Sequence, residues 1–167
     1  GNISLNAALD GDTRVYTTSL TGGAVGVGAT VAVGYIQTDN RAIVDLTGVS
    51  VKANAVNVNA GLANTPNSSQ AVVAGVTGAA GAVGVAVNIG IALNDGTNTA
   101  KVIGTTGTST LEASRLAVNA YGVSRASALL ANVAVGGVAA NVTMSFAWLK
   151  NHQEASVDTA ANLKISD

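Results

Sequence analysis

The sequence of 167 residues contains no cysteine, and this is the first of several shortages that limit what the chain can do. Without cysteine there is no disulfide framework, no thiolate metal site and no cysteine nucleophile. Charged residues make up 10% of the sequence, whereas soluble domains average roughly 25%. Most enzymes place charged groups in a cleft, and this chain has few to place. The net charge of −1 also gives no electrostatic footprint for nucleic acid or for an anionic membrane.

Aromatic residues are scarce as well, at 3%, although hydrophobic residues reach 48% and glycine occurs 20 times. The apolar content is therefore mainly alanine and valine. Such a composition predicts a thin core of small and β-branched side chains.

Residues 71–93 carry no charge and are long enough to cross a bilayer. Five glycines and a strict alternation of side-chain size argue against a transmembrane helix there.

Self-comparison of the sequence reveals a repeat. Four short stretches begin with an apolar residue and have another apolar residue two positions later: residues 3–7, 56–60, 116–120 and 163–167. Their first residues are 53, 60 and 47 positions apart. This spacing predicts a single repeat array over residues 1–167, divided approximately into 8–60, 61–120 and 121–167. Because the sequence begins and ends in the same element, we expect it to be a segment of a longer array.

Each repeat contains a long run in which larger and smaller residues alternate, over residues 24–35, 82–93 and 138–148. A period of two with β-branched residues on one face predicts a strand. We expect the valine face to fill the core. Glycine recurring on the other face predicts close approach of another backbone, from a second sheet or a neighbouring chain. Polar residues follow each run and predict turns at residues 38–40, 94–96 and 151–153. An Ala-x-Val element follows each of these turns.

Two architectures fit these patterns. Paired glycines between alternating runs, as at Gly22 and Gly23, are typical of a long hairpin. The Ala-x-Val element followed by a short alternating stretch instead indicates consecutive strands of a stacked solenoid. The sequence thus predicts an all-β, elongated fold of three repeats, either a β-solenoid resembling a β-helix or a prism of stacked β-hairpins.

Two long segments carry a family resemblance. The segment GAVGVGATVAVGYIQTDNRAIVDLTGVSVKANAVNVNAG, residues 23–61, resembles the repeats of filamentous-haemagglutinin-like exoproteins. The segment GAVGVAVNIGIALNDGTNTAKVIGTTGTSTLEASRLAVNAYG, residues 81–122, resembles them equally. Similar repeats build giant two-partner-secreted adhesins and leukotoxin-like proteins of bacteria. The resemblance implies an adhesin-like virulence protein outside the cell or at the bacterial surface, associated with the outer membrane.

Residues that could carry chemistry are few. His152 is the only histidine, and with Glu154 it is expected in a solvated turn, without a partner for acid–base catalysis or a set of zinc ligands. Asp10, Asp12 and Asp39 lack the spacing of known calcium loops. Trp148 is expected in the core. The sequence therefore predicts no catalytic, cofactor-binding or metal-binding residue, no cofactor and no enzymatic activity. Asn67, in a glycosylation sequon beside Pro66, is expected in an accessible loop.

These inferences predict a structural or adhesive repeat segment of a large secreted or cell-surface bacterial protein, acting as a stalk or as a scaffold that binds a host or other surface. The alternatives are a repeat segment of a secreted cytotoxin and a self-assembling extracellular fibre subunit. The expected partners are neighbouring repeats of the parent protein, other copies that associate through strand edges, and a host or surface receptor. Nucleic acid is not an expected partner.

Overall fold

A computed structural model describes residues 1–105 and 107–166, and this part of the chain forms strands and connecting turns. The fold is all-β, as the alternation predicted. No helix that could cross a membrane occurs in the described ranges, and residues 71–93 instead form the end of one strand, a bend at Gly81 and Ala82, and the start of the next strand. The strands are β1 (Asn2–Ala7), β2 (Asp10–Gly22), β3 (Val25–Asp45), β4 (Ser50–Ala60), β5 (Asn67–Ala80), β6 (Val83–Gly104), β7 (Thr110–Ala120), β8 (Gly122–Val135), β9 (Val138–Thr159) and β10 (Asn162–Ile165).

The strands form three parallel sheets that wind as a β-solenoid. Sheet A has the order β1-β4-β7-β10, sheet B the order β2-β5-β8, and sheet C the order β3-β6-β9. Each strand thus pairs with the corresponding strand one coil further on, and three coils follow one another before β10 begins a fourth. The hairpin prism is wrong. β2 and β3 turn back on each other at Gly23 and Ala24 but pair with the next coil rather than with each other, so they form an arch.

The register of sheet A tests the repeat spacing. Ile3 pairs with Val56, and Val56 pairs with Leu116, which confirms the first two spacings. The third spacing is wrong, because Leu163 pairs with Leu111 and not with Leu116. β7 contains apolar residues near both of its ends, so the short motif matches either end. Asp167, the last residue of that motif, lies outside the described residues.

The polar turns predicted at residues 38–40, 94–96 and 151–153 do not exist, because β3, β6 and β9 run straight through these positions. Polar residues are tolerated there because the inward-facing amides are hydrogen-bonded. The Asn40 side chain donates to the carbonyl oxygen of Ala7 at 3.0 Å, and the Asn94 side chain donates to that of Ser69 at 2.8 Å. A buried amide with its hydrogen bonds made does not oppose an extended strand.

The assignment of faces in the alternating runs must be reversed. In β3, Gly26, Gly28, Ala32 and Gly34 face inward, whereas Val25, Val27, Val31 and Val33 face outward and are exposed. Close backbone approach on the glycine face is confirmed, since a Cβ built on Gly26 would lie 2.5 Å from the carbonyl oxygen of Ala80. Sheets B and C approach so closely here that the valine side chains fit only on the outside.

The interior divides into two regions along each coil. Between sheet B and the first half of sheet C the buried apolar residues are small: Ala32, Ala71, Val73 and Ala92. Between sheet A and the second half of sheet C they are larger and include Leu46, Val58, Val102 and Leu111. The thin core predicted from the composition is therefore confirmed, and its leucines lie beneath sheet A.

Side-chain amides tie the coils together along sheet A and at its corner with sheet B. Asn119 donates to Asn59 at 2.9 Å, and Asn59 donates to Asn6 at 2.8 Å, which forms a ladder across three coils. Asn67 begins β5 instead of lying in an open loop. It is 3% exposed, accepts from the Leu9 backbone N–H at 2.8 Å and donates to Asn98 at 2.8 Å. The expected accessibility of this sequon is therefore wrong.

Candidate binding surface

The outer surface of sheet C presents a continuous apolar area. Outward-facing residues of β3, β6 and β9 stack in register, so that Val31 lies beside Ile89 and Ile89 beside Met144. Six such columns follow one another without a charged side chain, and the Tyr35 hydroxyl at their end donates to Gln37 at 3.1 Å. We call this area the apolar face. It comprises Val25, Val27, Ala29, Val31, Val33 and Tyr35 of β3; Val83, Val85, Val87, Ile89, Ile91 and Leu93 of β6; and Val138, Ala140, Val142, Met144, Phe146 and Trp148 of β9.

Many of these side chains are open to solvent. Val31 is 65% exposed and Trp148 is 61% exposed, so the expectation that Trp148 belongs to the core is wrong. Tyr35 and Phe146 are likewise exposed. With a strand rise of about 3.3 Å and a strand spacing of about 4.8 Å, the face measures about 33 Å by about 14 Å. Contiguous exposed apolar areas of this size are typical of interaction sites.

The backbone beneath the apolar face is held rigidly by the inner layer of small residues. A Cβ on Gly28 would lie 2.9 Å from the carbonyl oxygen of Gly78, and a Cβ on Gly84 would lie 3.1 Å from that of Val135. Every strand of the face is also paired in register along its whole length in sheet C. A preformed surface of this kind loses little conformational entropy when a partner binds.

Beyond Tyr35, Leu93 and Trp148 the outer surface of sheet C becomes polar. The Lys101 ammonium lies 2.7 Å from Glu154, that of Lys150 lies 3.3 Å from Asp95, and the Arg41 guanidinium lies 2.6 Å from Asp39. The hydrogen bond from Lys101 holds the pKa of Glu154 below its usual range. The hydrogen bond from Arg41 does the same to the pKa of Asp39. Sheet C is thus apolar where it covers sheet B and charged where it covers sheet A.

The sequence-based candidates for catalysis and metal binding are dispersed. His152 lies in β9 beside Thr97, not in a turn, and its Nε2 is 3.7 Å from Glu154. Asp10 accepts a hydrogen bond from Ser68, and Asp12 pairs with Arg14 at 2.7 Å. Over residues 1–105 and 107–166, no group of three His, Cys, Asp or Glu side chains could hold a metal ion.

Replacing His152 by alanine is expected to leave the fold and any binding activity unchanged. Its side chain is 60% exposed, and the corresponding positions of the other coils are Thr97 and Asp39. We expect a change in the free energy of unfolding within about 0.5 kcal/mol, as for most surface substitutions. Urea unfolding followed by circular dichroism measures it. A loss of binding with an unchanged unfolding curve would assign a function to this histidine.

Sequence reasoning did not find the apolar face, although its residues formed the clearest pattern. Both faces of each alternating run are uncharged, and the usual preference of large apolar residues for the interior placed the valines inside. The glycines carried the missing signal, because a face of glycine and alanine fits only where two sheets nearly touch.

Compared with protein-family models, curated proteins and solved structures, the chain gave no match.

Proposed function

We propose that this chain is a structural and adhesive repeat segment of a large secreted or cell-surface bacterial protein, acting as a stalk and as a scaffold that binds surfaces. The observation that carries the proposal is the in-register stacking of corresponding strands from coil to coil. In such an architecture each further coil adds about 4.8 Å of length and repeats the same contacts. Reach therefore grows with coil number, as a stalk requires.

The adhesive part of the proposal is supported by the apolar face, which grows with every coil in the same way. A partner that binds along this face gains contact area from each coil that it covers. The bacterial origin, and a location outside the cell or at the outer membrane, are proposed from the resemblance of the repeats to filamentous-haemagglutinin-like exoproteins.

A fibre subunit is the second candidate, and the open edges of the coils favour it. Within residues 1–105 and 107–166, β2 and β8 of sheet B each pair on one side only, and the same holds for β3 and β9 of sheet C. Unpaired parallel strands are templates for pairing with another chain. Filaments that lengthen with protein concentration in electron micrographs would favour this function over a stalk.

The adhesive function can be tested with beads that carry the protein. We expect such beads to remain on epithelial-cell monolayers under flow in larger numbers than beads coated with albumin. Release of lactate dehydrogenase from the same cells should stay at the level of the albumin control. Retention no better than that of albumin would contradict the adhesive function, and enzyme release would favour the cytotoxin alternative.

A further inference from the structure

We propose that the apolar face of sheet C docks against the same face of a second copy, with a two-fold axis parallel to the axis of the solenoid. The inference rests on the proposed function only in assigning this face to binding: a second copy covers the face above the dissociation constant of the dimer, and the face is free for another surface below it. It names the partner as another copy of this chain, joined through side chains rather than through the strand edges.

The first argument is area. A face of about 33 Å by about 14 Å gives a footprint of roughly 500 Å² on each copy, hence roughly 1,000 Å² for the pair. This total reaches the lower limit for specific protein–protein interfaces. Three coils should therefore form a reversible dimer, with a dissociation constant on the order of micromolar. The net charge of −1 opposes such an association only weakly.

The second argument is the spacing of the side chains. The stacked columns form parallel ridges across the strands, and neighbouring ridges are about 6.6 Å apart, which is two residues of strand. A partner fits between all six ridges only if its own ridges have the same spacing. An extended β-sheet has this spacing, so the same face of a second copy matches all six ridges, whereas a helix does not.

The third argument fixes the orientation. Along each coil the face begins with valine, at Val25, Val83 and Val138, and ends with bulkier residues, at Tyr35, Leu93 and Trp148. A two-fold axis parallel to the solenoid axis reverses the strand direction between copies. It places the valine end of one copy against the bulky end of the other, so the two sheets remain evenly spaced.

The charged half of sheet C favours the same orientation. An axis parallel to the strands would superpose the charged halves and would set the middle coils face to face. Asp95 would then oppose Asp95 of the second copy, and Lys101 would oppose Lys101. Like charges facing each other across an interface are unfavourable. With the axis along the solenoid, the charged halves extend beyond the overlap at opposite ends and stay hydrated.

Sedimentation velocity over a wide concentration range tests the dimer. Val31→Lys places a charge in the middle of the apolar face on β3, and we expect it to raise the dissociation constant by more than roughly tenfold, because an unpaired charge would be buried. Leu129→Lys is the matched control, since Leu129 faces outward from sheet B and is 73% exposed. It should leave the constant unchanged. A monomeric wild type, a dimer that survives Val31→Lys, or equal effects of the two variants would overturn the proposal.

Single cysteines can report the orientation, because the chain has no cysteine of its own. We expect a short bis-maleimide to join Val83→Cys to Leu93→Cys when the two variants are mixed, and to leave Val83→Cys alone uncoupled. Coupling of Val83→Cys with itself would contradict the proposed axis.

A lipid surface is the other occupant that the experiment can detect. The dimeric protein should not float with phosphatidylcholine vesicles, because the dimer buries the apolar face that would otherwise contact the bilayer. Flotation of a monomeric protein that is lost in Val31→Lys would overturn the proposal in favour of lipid. Bead retention is measured separately: adhesion by a strictly monomeric protein would contradict the dimer alone, and a dimer without adhesion would contradict the adhesive function alone.

Discussion

Replacing Gly81 by alanine is expected to lower the free energy of unfolding by about 3 kcal/mol or more, the upper end of overpacking effects. Gly81 lies at the arch between β5 and β6, in the middle coil. A Cβ there would collide with the carbonyl oxygen of Gly23 and would also lie 3.1 Å from the carbonyl oxygen of Ala24 and 3.2 Å from the amide nitrogen of Gly26. These are backbone atoms, so no side chain can move aside to make room.

The arch is repeated in each coil, which prevents relaxation. The Gly81 amide donates to the carbonyl oxygen of Val135 at 3.0 Å, and the carbonyl oxygen of Gly81 occupies the place where a Cβ on Gly136 would lie. A displacement that freed the middle arch would therefore press on the third coil. The first arch is also held, because Gly23 donates to Ala80 at 3.2 Å.

Urea unfolding at equilibrium measures the effect, with Gly22→Ala as the control. Gly22 ends β2 close to the same arch, but the nearest atom to a Cβ placed on it is the carbonyl oxygen of Ala80, at 4.0 Å. The control should change the free energy of unfolding by no more than about 0.5 kcal/mol. If Gly81→Ala unfolds at the same urea concentration as the control, the arches are not packed as closely as described.

The alternation of large and small residues was enough to predict the strands and their two faces, because a period of two has no other common interpretation. It was not enough to decide which face is inside. In β3 the choice lies between a face of Val25 and Val27 and a face of Gly26 and Gly28, and neither contains a charge. What decides is the distance between sheets B and C, a property of the assembled coils that a single strand does not encode.

The register was predictable where the five-residue motif ends in Asn-Ala, as in residues 3–7, 56–60 and 116–120, and it failed at residues 163–167, which end in Ser-Asp. Residues 56–60 and 116–120 align over five positions and pair as predicted. Near the end of the chain the match was made to Leu116, although β10 pairs with the first residues of β7.

The prediction of turns at polar residues was wrong for a different reason. Asp39 and Asn40 have the composition of a turn, but Asn40 bonds to the Ala7 backbone inside the solenoid, and that partner is remote in sequence.

Leu111→Ala is expected to lower the free energy of unfolding by about 2–5 kcal/mol, the range for leucines that leave a cavity in a core. Leu111 is 1% exposed and is one of the largest fully buried side chains. Its neighbours in the core beneath sheet A are mainly valines and alanines, such as Val58 and Ala100, which are too short to fill the space. Leu111 also pairs with Val51 in the second coil and with Leu163 in the fourth, so the loss affects two junctions between coils.

Leu129→Ala is the matched control, because it removes the same atoms from a side chain that is 73% exposed. We expect it to change the free energy of unfolding by no more than about 0.5 kcal/mol. Thermal and urea unfolding of the two variants should therefore separate clearly. Equal stabilities would mean that the region beneath sheet A is not the principal core. The stacking of coils would then depend on the backbone ladders and on the amide ladder through Asn59, rather than on apolar burial.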